Sequence, residues 1–184
     1  MREPSTAALE HFVEDTASTR GFGVSGDPTV RYRLMSPDSP RLGDPYPLVV
    51  FLHGAGERGK DNRSQIIYLP EVLARPECRE RYPCYALAVQ CAADDKWADV
   101  DWGMNGHWRS LSMTRAMRIL RAITQIVLSQ NEIGGVLLTG ISMGGFGCWQ
   151  WAGSQPQMFA AVAPICETFY PVAVSGIGGR GGIP

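Results

Sequence analysis

Residues 136–152 decide the fold and read VLLTGISMGGFGCWQWA. The apolar run at the start predicts a buried strand, and the segment rich in small residues after Ser142 predicts a helix packed close to a sheet. Ser142 stands between Gly140 and Gly144, in the pattern G-x-S-x-G. This pattern predicts a very tight strand-to-helix turn, in which side chains at the two glycine positions would collide. Such a turn holds the serine hydroxyl at the C-terminal edge of the sheet, over a helix N-terminus that favours negative charge.

A chance match is the alternative interpretation, because the chain has 21 glycines. A glycine-rich connection with an incidental serine would explain the bare pattern. The apolar strand before the serine and the small-residue helix after it favour the tight turn instead.

A second glycine-rich loop follows another predicted buried strand. Residues 48–52 (LVVFL) form a continuous apolar run and lead directly into residues 53–62, HGAGERGKDN. The backbone N–H groups of such a loop can bind an oxyanion at the edge of the sheet. A phosphate-binding loop and a plain turn are the alternatives. The phosphate loop is disfavoured because the spacing is not G-x-x-x-x-G-K-[ST] and because Glu57 is acidic.

The remaining segments alternate between strand and helix patterns. A short helix is predicted around residues 7–15, and a longer one at 112–130, where apolar residues recur mostly at three- and four-residue spacing. Further strands are predicted at residues 29–35, near the edge of the sheet, at 85–90 and at 159–166. This rhythm predicts an α/β fold, a three-layer αβα sandwich around a mostly parallel sheet.

Residues 94–109 are rich in tryptophan and in polar side chains. The stretch is too long and irregular for a simple turn, so it predicts a loop over the C-terminal edge of the sheet, where loops commonly line a site. The alternative, which the sequence leaves open, is that Trp97, Trp102 and Trp108 cover the core.

Length and composition limit the class of protein. A chain of 184 residues is one domain or most of one, and its formal net charge of −1 offers no reason to expect nucleic acid as a partner. No apolar stretch is long enough for a membrane span, and the N-terminus lacks the apolar core of a signal peptide. A cytoplasmic location without membrane contact is therefore expected.

Cysteine and histidine spacing argues against a disulfide framework and against a metal site. The five cysteines are irregularly spaced, so they are predicted to be reduced and mostly buried, with a Cys78–Cys84 bridge as the disfavoured alternative. The histidines, His11, His53 and His107, have no metal-ligand spacing. Neither a metal nor any other cofactor is expected.

Three stretches together resemble the α/β-hydrolase superfamily. They are residues 48–62 (LVVFLHGAGERGKDN), 97–102 (WADVDW) and 137–166 (LLTGISMGGFGCWQWAGSQPQMFAAVAPIC). The sequence is most similar to the phospholipase/carboxylesterase group, and within it to predicted esterase/peptidase proteins related to polyhydroxybutyrate depolymerases and dienelactone hydrolases. The resemblance covers residues 47–166. It divides the chain into a polar N-terminal segment (1–28), an incomplete α/β-hydrolase domain (29–166) and a glycine-rich tail outside the family pattern (167–184).

The resemblance implies a serine esterase acting on a small-molecule ester. Ser142 matches the nucleophile, which attacks the ester carbonyl and forms an acyl-enzyme. The backbone N–H groups of Ala55 and Met143 match the two oxyanion donors. Other residues of the loop are expected to support it, and an acidic–basic pair among them is expected to pin the backbone. The supporting residues are His53, Gly54, Gly56, Glu57, Arg58 and Asn62. His53 matches a residue that shapes the loop and not the general base.

The sequence departs from the family pattern after Ser142. In this fold the catalytic acid and histidine follow the nucleophile, but the rest of the chain contains no histidine and no aspartate, and Glu167 is its one acid. We therefore expect a hydrolase fold that lacks its last strands, with an exposed sheet edge through which the chain self-associates. His107 and His53 are both disfavoured as substitute bases.

Three functions remain open from the sequence. The first is the family's ester hydrolysis through Ser142. The second is a catalytically inactive hydrolase-like fragment or binding module, favoured by the missing histidine. The third is an acyltransferase on the same fold, which would differ only in the group that accepts the acyl chain.

Overall fold

The computed structural model describes residues 2–25, 29–39, 43, 45–101, 109–110 and 112–165. Helices and strands follow one another along the chain as α1 (Thr6–His11), β1 (Val13–Ser18), β2 (Thr29–Met35), β3 (Tyr46–Leu52), α2 (Leu69–Leu73), α3 (Pro76–Arg81), β4 (Tyr85–Val89), α4 (Arg115–Gln130), β5 (Ile133–Ile141), α5 (Met143–Ser154) and β6 (Ala161–Ile165). Short 3-10 turns lie at Ala55–Glu57, Ser64–Ile66 and Pro156–Met158.

The described strands form one sheet in the order β1-β2-β4-β3-β5-β6. Strands β4, β3, β5 and β6 are parallel, whereas β1 and β2 are antiparallel to their neighbours. The prediction of a mostly parallel sheet is therefore confirmed. The strand at 29–35 is one position in from the edge, because β1 pairs along its whole length with β2.

Alternate residues of the central strands face two hydrophobic clusters, as the pleat of a strand requires. In β3, Leu48, Val50 and Leu52 belong to one cluster and Val49 to the other. The first cluster is covered by α4 and α5, which contribute Leu120 and Trp151 among others. The second is covered by residues of α1, α2 and the turn before α2. Helices on both faces of the sheet give the predicted three layers.

Helix α4 begins at Arg115, three residues later than the apolar pattern predicts. Thr114 is its N-cap, and the Thr114 hydroxyl accepts a hydrogen bond from the Met117 N–H over 3.1 Å. A serine or threonine at this position satisfies an N–H group that the helix itself leaves unbonded. The cap therefore sets the start of the helix more precisely than the hydrophobic spacing does.

The N-terminal segment differs from the expected short helix at 7–15. Helix α1 ends at His11, and β1 follows at Val13–Ser18 as the edge strand of the sheet. The side chains of Ala8 and Phe12 are buried in the second cluster. The sheet and its core therefore take in part of residues 1–28.

The cysteines in the described part of the chain are free thiols. Cys84, Cys91 and Cys148 are buried, and Cys78 is partly exposed, so no Cys78–Cys84 bridge is present. Burial raises the pKa of the Cys84 thiol to about 11, which keeps it in the unreactive protonated form.

Strand β6 is the edge of the described sheet on the side of β5. Its residues alternate in exposure: Ala161, Ala163 and Ile165 are exposed, whereas Val162 packs against the first cluster. No helix within the described ranges combines the length and the apolar character needed to cross a membrane.

Candidate active site

Ser142 lies on a very tight turn between β5 and α5. Strand β5 ends at Ile141 and α5 begins at Met143, so Ser142 alone connects them. Its backbone has φ 51° and ψ −116°, a conformation that costs energy for a residue with a side chain. The Ser142 N–H donates to the Ile165 carbonyl over 2.7 Å, and the residue is exposed. The strained backbone is thus held by β6, and the side chain is left accessible.

The glycines around Ser142 allow α5 to touch the end of β3. A Cβ atom on Gly144 would lie 2.0 Å from the Leu52 carbonyl oxygen, and one on Gly140 would lie 2.7 Å from the same atom. One turn further on, a Cβ on Gly147 would lie 2.6 Å from Trp97. Real Cβ atoms do not approach so closely, so these positions require glycine. The contact brings Ser142 next to the loop that follows β3.

His53 is the first residue of that loop and is completely buried. Its Nε2 accepts a hydrogen bond from the Cys91 N–H over 2.9 Å, so the ring proton is on Nδ1, which donates to the Gly54 carbonyl over 2.7 Å. The Trp97 indole N–H donates to the His53 carbonyl over 3.0 Å. Burial lowers the pKa of His53 to about 4, and both ring nitrogens are occupied. His53 therefore fastens the end of β3 to the residues after β4.

Gln90, directly after β4, fastens the later part of the same loop. Its amide nitrogen donates to the Glu57 carbonyl over 3.0 Å, and its amide oxygen accepts from the Asn62 N–H over 2.8 Å. Asn62 has φ 54°, one of the positive-φ residues of the chain. Gln90 was not among the site residues predicted from the sequence. The available signal was a polar residue at the end of an otherwise apolar strand.

Arg58 braces the loop through backbone oxygens. Its Nε donates to the Ala55 carbonyl over 3.0 Å, and its Nη1 donates to the Asp95 carbonyl over 3.2 Å. Among the described residues, the expected ion pair between Arg58 and Glu57 does not form. Within the described residues, hydrogen bonds to backbone oxygens therefore brace the loop.

The other predicted site residues are placed as follows. Gly54 is the N-cap of the 3-10 turn Ala55–Glu57, and Gly56 lies in that turn with open space around it. Ala55 and Met143 each begin a helical turn, so neither N–H takes part in that turn's own hydrogen bonds. Trp97 belongs to the core. Other candidates from the sequence lie outside the described residues: Trp102, His107, Trp108, Cys166, Glu167 and the tail 167–184.

A polar cleft of about 580 Å³ opens beyond Arg58. Charged side chains in its wall bind one another: Lys96 pairs with Asp99, and Arg109 pairs with Asp101, each over 2.7 Å. No group of three or more metal-binding side chains occurs among the residues with a described position.

Several solved structures share this arrangement of sheet and helices. A thermostable esterase superposes with a TM-score of 0.74 at 31% identity, over 89% of this chain and 43% of its own. FphF, a fluorophosphonate-binding serine hydrolase of Staphylococcus aureus, gives 0.54 at 13% identity, over 83% of this chain and 56% of its own. The acylaminoacyl peptidase of Pyrococcus horikoshii gives 0.51 at 19% identity, over 84% of this chain and 23% of its own.

The fold of this chain is therefore the α/β-hydrolase fold, as esterases and serine hydrolases have it. This confirms the resemblance seen in the sequence. The chain spans less than two thirds of the length of each of these three proteins. No protein-family model and no curated protein matches the chain.

Proposed function

We propose that this domain supplies the nucleophile and the oxyanion-binding groups of a serine hydrolase that acts on carboxylic esters. The observation that carries the proposal is the backbone of Ser142, which has φ 51° at a one-residue connection between β5 and α5. A strained, exposed serine at the C-terminal edge of a parallel sheet is the arrangement known as a nucleophile elbow. The esterase fold of the 31% identical neighbour supports the same class of reaction.

The reaction would proceed through an acyl-enzyme. The Ser142 Oγ attacks the ester carbonyl carbon and loses its proton to a base, while the carbonyl π electrons move to the oxygen. The resulting oxyanion is bound by the N–H groups of Met143 and Ala55, neither of which is used within its own helical turn. Collapse of the intermediate breaks the bond to the alcohol, which leaves with a proton. Water then releases the acid from Ser142.

The helix after Ser142 supports the same step. Met143 is the first residue of α5, a helix of 12 residues. Unbonded N–H groups and the helix dipole place partial positive charge at this end. Negative charge that develops on the carbonyl oxygen is therefore stabilised without any movement of the protein.

A second candidate function is a hydrolase-like domain that does not turn over substrate. His53 cannot accept the Ser142 proton, because its Nε2 already accepts from Cys91 and its Nδ1 donates to Gly54. His11 lies on α1. The residues on either side of it, Ala8 and Phe12, pack in the second cluster, on the opposite face of the sheet from α5.

Labelling with a fluorophosphonate distinguishes the two candidates. The purified chain is treated with the probe and analysed by intact mass, beside Ser142→Ala and the control Ser154→Ala, which changes an exposed serine at the other end of α5. One adduct on the wild type and on Ser154→Ala, with none on Ser142→Ala, supports the hydrolase proposal. A folded wild-type chain without an adduct supports the inactive domain, and an adduct on all three chains refutes a special role for Ser142.

A further inference from the structure

Glu57 is a buried carboxylate that has no side-chain partner among the described residues. The residue is only 7% exposed, and no hydrogen bond or ion pair to its side chain is recorded among the described residues. Glu71, the other buried glutamate, is bound by the Arg2 guanidinium and the Ser5 N–H, each over 2.6 Å. An unpaired buried carboxylate costs free energy, so its retention calls for a partner that binds from outside the protein.

The carboxylate of Glu57 lies beside Gly54, and Gly54 is also close to Ile141, the residue before Ser142. A Cβ atom on Gly54 would be 3.0 Å from Glu57 Oε2 and 3.8 Å from the Ile141 carbonyl oxygen. Oε2 therefore occupies space that exists because Gly54 has no side chain. Glu57 is also two residues from Ala55, whose N–H is the proposed oxyanion donor.

The backbone around Glu57 is held in place, and its carboxylate can still be reached. Gln90 donates to the Glu57 carbonyl, and Arg58 donates to the Ala55 carbonyl, so the turn that carries the carboxylate is fixed on both sides. The oxygens of Glu57 are not fully enclosed, so part of their surface is open to solvent. A small cationic group can contact that open part.

We propose that Glu57 binds a primary ammonium group on the acyl part of the substrate. The inference rests on the proposed function, because it places the ester carbonyl at Ser142 and its oxygen at Ala55. An ammonium group donates up to three hydrogen bonds, and its positive charge is opposite to that of the carboxylate. The two groups therefore form a short charge-assisted hydrogen bond. Glu57 is then a specificity-determining residue that selects aminoacyl esters over alkanoyl esters.

Matched pairs of methyl esters test this selectivity by binding alone. Each pair replaces the ammonium by a methyl group: glycine against propanoate, β-alanine against butanoate, and 4-aminobutanoate against pentanoate. Binding to the Ser142→Ala chain is measured by saturation-transfer NMR and titration, so that no turnover is needed. At least one amino ester is expected to bind roughly tenfold more tightly than its methyl partner, as a charged hydrogen bond provides.

Two variants on the Ser142→Ala background assign the effect to the carboxylate. Glu57→Gln removes the charge and is expected to abolish the preference. Gly54→Ala places a Cβ 3.0 Å from Oε2, so the carboxylate must shift by a few tenths of an ångström while its charge remains, and the preference is expected to weaken. Glu77→Gln, an equal charge change at an exposed position on α3, is expected to retain it. Thermal unfolding checks that Glu57→Gln folds. If Glu57→Gln does not fold, the binding of the esters to Gly54→Ala tests whether the preference depends on the carboxylate.

The inference is overturned if no amino ester binds more tightly than its methyl partner, if the preference survives in a folded Glu57→Gln chain, or if it is undiminished in Gly54→Ala. If Glu77→Gln loses the preference for amino esters as fully as Glu57→Gln does, the inference is also overturned, because the preference then depends on the net charge of the protein. Failure of the hydrolase proposal is seen separately, as the absence of a fluorophosphonate adduct on Ser142 in the otherwise native chain.

Discussion

His53 is neutral in the folded protein because its ring is buried and its Nε2 accepts a hydrogen bond. Its pKa falls from the ordinary 6.5 to about 4. The unfolded chain therefore binds the proton first as the pH falls. The contribution of His53 to stability is fully present above pH 6.5 and is lost between about pH 6.5 and 4, by roughly 1 kcal/mol per pH unit.

Denaturant unfolding of wild type and His53→Asn at several pH values measures this contribution. The variant should be less stable at pH 7, because the Cys91 N–H loses its acceptor, and its stability should fall less steeply toward pH 4. The carboxylates change the stability of both chains equally as the pH falls, so the difference between the two chains isolates the contribution of His53. Parallel pH profiles for the two chains would contradict the prediction.

Gly144 has no room for even one methyl group. The nearest atom to an added Cβ would be the Leu52 carbonyl oxygen at 2.0 Å, which is backbone and cannot move aside. Gly144→Ala should therefore lower the free energy of unfolding by about 3 kcal/mol or more. Chemical denaturation measures the change.

Gly153, on the same helix, is the matched control. An added Cβ there meets nothing within 4 Å, so Gly153→Ala should raise stability by about 0.5–1 kcal/mol through helix propensity. If both variants lose the same stability, the close contact of α5 with β3 is not what makes Gly144 necessary.

The tight turn at Ser142 is a local constraint, so local sequence patterns are enough to indicate it. Gly140, Ser142 and Gly144 are neighbours in sequence, and the short turn alone demands their types. Local patterns could not predict whether Glu57 pairs with Arg58. The expected pair with Arg58 assumed that adjacent charges meet, but Arg58 turns to the Asp95 carbonyl, 37 residues further along the chain. Contacts across such separations depend on the packed fold.

Strand β1 shows the same limit for a whole element. Residues Val13–Ser18 are nearly all exposed, so the segment lacks the apolar alternation that indicates a strand. The strand forms because it pairs with β2 from Val13↔Leu34 to Ser18↔Thr29. Central strands β3 and β4, by contrast, are buried on both faces and were predicted from their continuous apolar runs.

The loop after β3 depends on the end of β4 through Gln90. The Asn62 N–H donates to the Gln90 amide oxygen, whereas the Gly59 N–H donates to the Cys91 carbonyl. Gln90→Ala should therefore speed hydrogen exchange of the Asn62 amide and cost about 1–2 kcal/mol of stability. Exchange monitored by NMR measures both amides in one experiment.

The Gly59 amide is the internal control, because its acceptor is backbone and survives the substitution. Faster exchange at Asn62 with little change at Gly59 would support the role of Gln90 in positioning the loop. Unchanged exchange at Asn62 would show that other contacts hold the loop.

At the scale of the whole molecule, the two edges of the described sheet differ in how they resist pairing with another chain. Edge strand β1 carries Glu14 and Asp15, and charges are a common guard of a free edge. Edge strand β6 reads AVAPI and has no charge, although Pro164 removes one donor. Val13 on β1 and Ile165 on β6 are each 62% exposed. The two edges thus offer equal apolar exposure with unequal electrostatic protection.

We expect the chain to self-associate through β6 and not through β1, since β6 is the uncharged one of the two edges of the described sheet. Sedimentation velocity over a range of concentrations should show association of the wild type. Ile165→Lys should suppress it by placing a charge on the unguarded edge, whereas Val13→Lys should leave it unchanged. A wild type that stays monomeric at every concentration, or equal suppression by both substitutions, would show that β6 is not the associating edge.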